Sequence, residues 1–195
     1  KALRQKLGET FTLPALTIDT TQYSSDGTVK SRFRTHDQFL VEGVLIPTDE
    51  RKTACVSSQI GCSLTCKFCA TGYMERKRNL HFDEIYDEVV LINQQCERVY
   101  GKKLSNIVFM GMGEPLANYD RTLAAVRRLT QPAPEGLGIS ARSVTISTVG
   151  LVPRILQLAQ EGMPVRLAVS LHAPDDELRD TLVPINTRYK VDEVH

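Results

Sequence analysis

The sequence lacks the features that mark membrane, secreted and strongly charged proteins. No apolar run approaches the roughly 20 residues of a membrane-spanning helix, and no signal-peptide pattern opens the chain. No low-complexity segment or close internal repeat is present. The formal net charge is only +1, so the overall charge favours neither a nucleic-acid nor a membrane partner. We therefore expect no membrane association.

Cysteine is scarce and unevenly distributed. The chain has five cysteines, an odd number, and three of them lie between positions 62 and 69. An odd, clustered set in a protein of ordinary size suits a reducing compartment better than a disulfide framework. We expect free thiols and a cytoplasmic location.

The size of the chain is sufficient for one domain. Its 195 residues are 42% hydrophobic, enough to bury a substantial core. It opens on Lys1 rather than methionine, and residues 189–195 alternate between polar and apolar, a pattern typical of an element that is just beginning. We expect the chain to be a piece of a longer protein.

Positive charge is concentrated in two short segments. Such segments are more often solvated faces than binding sites, so they alone make RNA binding a minority interpretation. They consist of Lys30, Arg32, Arg34 and His36, and of Arg76, Lys77 and Arg78.

The clustered cysteines form a C-x3-C-x2-C triplet. Cys62, Cys66 and Cys69 have an aromatic residue, Phe68, just before the last thiol. An electron-transfer [4Fe–4S] cluster uses four cysteines and a structural zinc site uses four protein ligands. A triplet would leave one iron free to bind a substrate or cofactor. The spacing therefore predicts a cluster that takes part in chemistry.

Zinc is the alternative, and it needs a fourth ligand from elsewhere in the chain. Paired C-x2-C knuckles are the usual zinc spacing, and only Cys66 and Cys69 fit it. The spacing favours the cluster over zinc. The other possible zinc ligands are Cys55, Cys96, His81 and His172.

The first 50 residues differ in character from the rest. A short helical segment is expected at residues 1–7, and Ser24-Ser25-Asp26-Gly27 is a hairpin signal in the turn-rich stretch that follows. Residues 28–35 and 39–46 are predicted to form two strands, because one segment alternates and the other is apolar and β-branched.

From residue 51 onward the pattern is β-strand and α-helix in alternation, which predicts an α/β fold with a parallel sheet and right-handed crossovers. About four βα units are present, short of an eight-fold barrel. Strands are predicted at residues 53–57, 104–110, 143–147 and 165–171, and helices at 82–100, 118–129, 152–160 and 175–182. Asn118 is predicted to cap the second of these helices.

Each predicted parallel strand is followed by residues whose side chains or turns can bind a ligand or a metal. Ligands bind at the carboxyl edge of such sheets, so we expect these segments to converge there. They are the cysteine loop, Gly111-Met-Gly-Glu-Pro115, Ser147-Thr148 with Val149-Gly150, and Ser170-Leu171-His172.

Each of these segments also has a purely structural interpretation. Gly111 and Gly113 could make a tight turn, and a Gly-x-Gly pattern alone is weak evidence. Ser147 could cap a helix and His172 could be a structural histidine. Glu114 is the clearest functional candidate, because a carboxylate in a glycine-rich turn beside a metal loop can bind a ligand's ammonium group.

Taken together, the motifs resemble those of the RlmN/Cfr family of RNA adenine methyltransferases, which are radical S-adenosylmethionine (SAM) enzymes. The resemblance covers residues 29–186 in order and spacing. Its motifs are the cysteine triplet, Cys55-Val-Ser-Ser-Gln-Ile-Gly-Cys62, Gly111-Met-Gly-Glu-Pro-Leu116, Ser147-Thr-Val-Gly150 and Ser170-Leu-His-Ala173.

The resemblance implies a partial (β/α)6 radical SAM barrel with a small N-terminal β extension. Residues 1–50 would combine a remnant of an accessory region with that extension, and residues 51–195 would be a core truncated at its C-terminal end. The triplet would hold a [4Fe–4S] cluster whose open iron binds SAM. The implied SAM contacts are Gly113 and Glu114 at the ammonium group, Phe68 near the adenine, and Ser147, Ser170, Leu171 and His172 around the rest.

The implied reaction consumes two SAM molecules. One methylates a second cysteine near the C-terminus, and cleavage of the other yields a 5′-deoxyadenosyl radical that takes a hydrogen from the new methyl group. The resulting carbon radical adds to an adenine. Cys55 matches the cysteine that resolves the covalent RNA intermediate, and Glu42 matches a proposed proton acceptor. Without the resemblance, Cys55 would pass for a core residue and Glu42 for a polar strand position.

The implied partners are 23S ribosomal RNA, transfer RNA as a further substrate, and an electron donor such as flavodoxin, with a monomeric enzyme. The chain departs from the family because the methyl-accepting cysteine is absent; Cys96 lies mid-helix and does not match it. Three hypotheses stay open: methylation at adenine C2, Cfr-type methylation at C8 with antibiotic resistance, and a non-catalytic redox or zinc-binding module.

Overall fold

The computed structural model describes residues 3, 5–7 and 14–195. The described residues within the segment 1–7 are helical, as expected. The strands are β1 (Leu16–Tyr23), β2 (Val29–Thr35), β3 (Leu40–Pro47), β4 (Lys52–Cys55), β5 (Gln59–Ile60), β6 (Arg78–Asn79), β7 (Asn106–Phe109), β8 (Val144–Thr148) and β9 (Arg166–Val169). The helices are α1 (Phe82–Tyr100), α2 (Tyr119–Thr130), α3 (Val152–Gln160), α4 (Asp176–Leu182) and α5 (Val191–Val194).

Seven strands form one open sheet in the order β1-β2-β3-β4-β7-β8-β9. The first four pair antiparallel, and β4, β7, β8 and β9 pair parallel. β5 and β6 form a separate two-stranded sheet beside it. The α/β class, the parallel sheet and the N-terminal β extension confirm the predicted fold.

Helices α1 and α2 cover one face of the large sheet. On α1, Ile85, Val89, Ile92 and Cys96 recur at helical spacing and are fully buried in the core. The helix begins with acidic residues in its first turn and ends at Gly101, whose φ of +63° favours glycine. We call the opposite side of the sheet the cavity face.

Strand register places one lateral row of side chains on the cavity face. Lys30 pairs with Val44, Val44 pairs with Cys55, and Cys55 pairs with Val108. Paired residues on neighbouring strands project to the same side of a sheet. Cys55 therefore shares a face with β2 residues two strands away.

Two local features differ from the sequence-based expectations. β1 was not predicted, because its threonine-rich residues are mostly exposed and do not alternate. Asn118 precedes α2 as predicted, but its side chain does not cap the helix. Its amide instead donates to the carbonyls of Ser58 and Leu80, at 2.8 and 2.9 Å, because those buried carbonyls lie within its reach.

Within the part of the chain that the structure describes, no helix is long and apolar enough to cross a membrane.

Candidate functional site

A cavity of about 550 Å³ opens at the carboxyl ends of the parallel strands. All four segments predicted to converge do so here. The lining includes Cys62, Cys66, Phe68, Cys69, Gly111, Gly113, Glu114, Ser147, Ser170, Leu171 and His172. Of the residues predicted to form the site, only Glu42 and Cys55 are absent from the lining.

The cysteine loop is held in a compact turn at one side of the cavity. The amide of Cys69 donates to the carbonyl of Cys66 at 3.1 Å, and that of Lys67 donates to Leu182 at 3.0 Å. Gly72 lies so close that a Cβ there would be 2.6 Å from the Cys66 carbonyl oxygen. These backbone contacts hold the loop so that its three thiols line one end of the cavity.

The thiols of the loop influence one another. Burial, together with the charges of Cys62 and Cys69, raises the pKa of Cys66 to about 11. Burial also raises the pKa of Cys62. Thiolates that repel one another in a partly desolvated site are stabilised by a cationic metal centre. The donor set therefore fits an iron–sulfur cluster.

The spacing of the sulfur atoms argues against a single zinc ion. Thiolates around a tetrahedral zinc with 2.3 Å bonds lie about 3.8 Å apart. Among the described residues, the only group of three or more ligand atoms all within 4.8 Å of one another is His36, Asp37 and Glu84. At least one pair of the triplet sulfurs is therefore more than 4.8 Å apart, which suits a polynuclear cluster better than one zinc ion.

Gly111 and Gly113 allow the second loop to pass close to the backbone that follows β4. A Cβ on Gly111 would be 2.8 Å from the Val56 carbonyl oxygen. Gly113 has a φ of +94°, and a Cβ there would be 2.9 Å from the amide nitrogen of Gln59. The tight turn considered from the sequence is therefore real. It also brings Glu114 to the cavity.

Glu114 is only 3% exposed and is held from both sides. One carboxylate oxygen accepts from the amide of Leu116 at 3.0 Å, and the other accepts from the amide of Val149 at 3.1 Å. Burial raises its pKa, and these hydrogen bonds only partly offset the effect. A cationic ligand group in the cavity would stabilise the charged form of this buried carboxylate.

The remaining lining residues come from the ends of β8 and β9 and from the cysteine loop. The hydroxyl oxygens of Ser147 and Ser170 lie 3.5 Å apart. His172 has a φ of +61°, an unusual conformation for a residue with a side chain. Its ring centroid lies 3.8 Å from that of Phe68. The aromatic pair joins the fourth and first segments of the predicted site.

Cys55 and Glu42 lie on the cavity face but outside the cavity lining. Burial and the charge of Glu88, partly offset by a hydrogen bond from the backbone of Met110, raise the pKa of Cys55 to about 11. Met110 itself lines the cavity, so Cys55 is adjacent to it. Glu42 forms an ion pair with Lys30 at 2.7 Å.

Ser57 and Glu88 form a buried link that sequence reasoning missed. Both carboxylate oxygens of Glu88 lie 3.2 Å from the amide of Ser57, and burial raises the pKa of Glu88 well above its ordinary value. The Ser57 hydroxyl donates to the Glu42 carbonyl at 2.7 Å and accepts from the amide of Met112 at 2.9 Å. The sequence held one signal of this link: Glu88 places a carboxylate on the apolar face of the predicted helix, three residues after Ile85.

Arg179 is a second missed residue, and it is fully buried. Its guanidinium group donates to the carbonyls of Leu171 at 3.0 Å and Val149 at 2.5 Å, and to the side chain of Asn186. Leu171 and Val149 line the cavity. Arg179 therefore holds two loops of the cavity without lining the cavity itself. No local sequence pattern indicated this role.

Comparison with known proteins identifies similar chains. A sequence profile described as the Radical SAM superfamily matches residues 56–195. A chain from Cytophaga hutchinsonii is 53% identical over 186 residues, which are 95% of this chain and 50% of that protein. One from Thermobifida fusca is 56% identical over 199 residues, covering 99% of this chain and 54% of that protein. Both are called "Probable dual-specificity RNA methyltransferase RlmN".

A solved structure gives the same result for the fold. A radical SAM methyltransferase from Sphaerobacter thermophilus superposes with a TM-score of 0.94 at 47% sequence identity. The match covers 100% of this chain and 56% of that one. The chain thus spans about half the length of the relatives it matches. The identity to these relatives confirms the resemblance noted from its motifs.

Proposed function

The chain belongs to the radical SAM superfamily, and from this premise we propose that it carries the cofactor site of an RNA adenine methyltransferase. Membership implies a [4Fe–4S] cluster and SAM as cofactors. The observation that best supports the proposal is the cavity itself. Three thiols and a buried carboxylate line one opening at the carboxyl edge of the parallel sheet.

In this proposal Cys62, Cys66 and Cys69 hold the cluster, and Glu114 and Gly113 contact the SAM ammonium group. Phe68 packs near the adenine of SAM. Ser147, Ser170, Leu171 and His172 line the rest of the SAM site. When bound, the two cofactors supply radical chemistry at carbon atoms that nucleophilic methyl transfer does not reach.

Cys55 and Glu42 would act beside the cavity rather than in it. With a pKa of about 11, the Cys55 thiol is protonated at neutral pH, so it stays unreactive until a base takes its proton. We assign it the resolution of the covalent protein–RNA intermediate. Glu42 is the proposed proton acceptor, and an ion pair with Lys30 at 2.7 Å holds its carboxylate on the cavity face.

The proposed substrate is an adenine in 23S ribosomal RNA, methylated at C2, with transfer RNA as a second substrate. The names of the relatives support a dual specificity. The same proposal includes a methylcysteine outside this chain, a flavodoxin-type electron donor and a monomeric cytoplasmic enzyme. It also keeps the division into an accessory segment, residues 1–50, and a radical SAM core, residues 51–195.

The test is to map the modified nucleotide. We expect the full-length protein, supplied with SAM and a reductant, to add one methyl group to adenine C2 in protein-free 23S ribosomal RNA. Mass spectrometry of nuclease fragments, compared with 2-methyladenosine and 8-methyladenosine standards, identifies the position. Methylation at C8 would contradict the C2 assignment, and absence of any methylated adenine would contradict the proposed activity.

Glu114 should be needed for SAM binding and not for cluster assembly. Glu114→Gln keeps the size of the side chain and one of its two acceptor oxygens but removes the charge. Because hydrogen bonds to charged groups contribute about 1.5–3 kcal/mol, we expect SAM binding to weaken roughly ten- to hundredfold. Equilibrium dialysis with the reconstituted full-length protein measures the affinity, and iron analysis should give an unchanged content.

The matched control is Glu161→Gln. Glu161 pairs with Arg127 on the surface, outside the cavity lining. This variant should keep the SAM affinity of the unmodified protein. Unchanged affinity in Glu114→Gln would remove Glu114 from the SAM site.

A further inference from the structure

A strip of three cations lies on the cavity face of β2. Lys30, Arg32 and Arg34 alternate with buried residues of the same strand and project away from α1. We call these three residues the cation strip. Their side chains are 46%, 47% and 39% exposed. They are therefore available to a partner from solvent.

The cation strip and Cys55 belong to one continuous surface. Lys30 and Cys55 lie in the same lateral row, separated by Val44 on β3. Because adjacent strands are about 4.8 Å apart, the backbones of Lys30 and Cys55 are roughly 10 Å apart. A chain lying across β2, β3 and β4 would therefore contact the cation strip on its way to Cys55.

The two arginines are held in a fixed orientation. Asp19 on β1 accepts from Arg32 Nε at 2.6 Å and also from Arg34, and these bonds lower the pKa of Asp19 to about 2. In the described part of the chain, the Nη1 groups of Arg32 and Arg34 have no hydrogen-bond partner. Asp19 thus orients the guanidinium groups and leaves donors directed to solvent.

The immediate surroundings of the cation strip are polar. A shallow depression of about 70 Å³ is lined by Thr20, Gln22, Lys30, Arg32 and Glu42. Ion pairs exposed to water, such as that of Lys30 with Glu42, are weak, so an incoming anion competes with them readily. Three cations against the two carboxylates of Asp19 and Glu42 leave this surface with a net positive charge. Oriented arginines beside hydroxyl and amide groups recognise phosphate.

The second basic segment of the sequence does not offer the same surface. The guanidinium group of Arg78 is already occupied within the protein, because it donates to Asp37 and Glu84 at 2.7 Å each. Arg76 and Lys77 are exposed, but they precede β6 of the separate two-stranded sheet and so lie outside the lateral row of Cys55. Of the two basic segments, the first is the one that register places beside Cys55.

We propose that the cation strip binds backbone phosphates of the substrate RNA next to the target nucleotide and directs that strand across β3 toward Cys55. The inference rests on the proposed function, since it assumes an RNA substrate. Contacts of this kind position a nucleic acid without reading its sequence. They would let one surface serve several RNA substrates.

The test compares RNA binding by charge variants of the full-length, cluster-loaded protein. We measure the affinity for protein-free 23S ribosomal RNA by filter binding between about 50 and 200 mM NaCl. In Arg32→Gln/Arg34→Gln, affinity should fall about tenfold at the lower salt concentration. The slope of log affinity against log salt should become shallower by about 1.4–1.8, since each lost phosphate contact contributes 0.7–0.9.

Two further variants control for folding and for general charge. Arg121→Gln/Arg128→Gln removes two exposed arginines from α2, on the other side of the sheet, and should bind RNA like the unmodified protein. Arg32→Lys/Arg34→Lys should restore the salt slope, because the charges return. All variants should bind SAM and iron as the unmodified protein does.

The outcomes separate the cation strip from the proposed function. If the unmodified protein binds RNA and Arg32→Gln/Arg34→Gln binds it with the same affinity and salt slope, the strip is not a phosphate site. An equal loss in the α2 variant would also overturn it, because the effect would then be nonspecific. If the unmodified protein neither binds nor methylates RNA, the proposed function itself fails.

Discussion

Replacing Cys62, Cys66 or Cys69 with alanine should remove nearly all the iron and sulfide that the full-length protein binds on anaerobic reconstitution. The unmodified protein should bind about four iron atoms, the content of one [4Fe–4S] cluster. Each variant should fall close to zero, because all three thiols line one cavity and Cys55 and Cys96 do not. Iron and sulfide analysis, with the visible absorption spectrum, measures the loss.

Cys96→Ala is the matched control for these variants. Cys96 is fully buried in α1, and its replacement should leave the iron content unchanged while lowering the free energy of unfolding by about 1 kcal/mol. Loss of iron in this control would contradict the triplet as the metal site. A protein that binds one zinc and no sulfide would instead support the zinc-binding alternative.

Cys55→Ala should keep the cluster and still cleave SAM, yet stop the reaction at a covalent protein–RNA adduct. The reason is that no second thiol lies in the same row of the cavity face to complete release of the methylated base. We expect nearly complete loss of multiple turnover. Denaturing gel electrophoresis should show a shifted, nuclease-sensitive band.

The alternative role of Cys55 is that of a small, half-buried hydrophobic residue. In that case alanine would cost about 1 kcal/mol of stability and leave turnover largely intact. Free methylated RNA formed at the normal rate would therefore eliminate the resolving role. Cys96→Ala, which removes a thiol from the core instead, should turn over normally without an adduct.

The elements whose apolar residues recur at a regular spacing were predictable from the sequence. The helix at residues 82–100 has apolar residues at helical spacing and acidic residues at its start, so its limits matched the structure. The convergence at the cavity was predictable too, because parallel strands share a carboxyl edge whatever their side chains. β1 was missed because an edge strand with few buried residues carries no alternation.

The supports of the site were not predictable in the same way. Gln59 accepts from the amide of Glu114, and Ser57 accepts from that of Met112, each 55 positions away along the chain. Such bonds follow from the pairing of strands and leave no local spacing pattern. The buried Arg179 looked like an ordinary helix charge for the same reason.

The position of β4 in the sheet has a consequence for solubility. This strand has β3 on one side and β7 on the other, so the antiparallel strands cover the flank of the parallel half. Without β3, β4 would expose an unpaired row of backbone amides and carbonyls, which recruits strands from other molecules. By pairing with β4, β3 removes this edge and so lowers the risk of aggregation there. By the same pairing, it keeps Cys55 inside the sheet rather than at its rim.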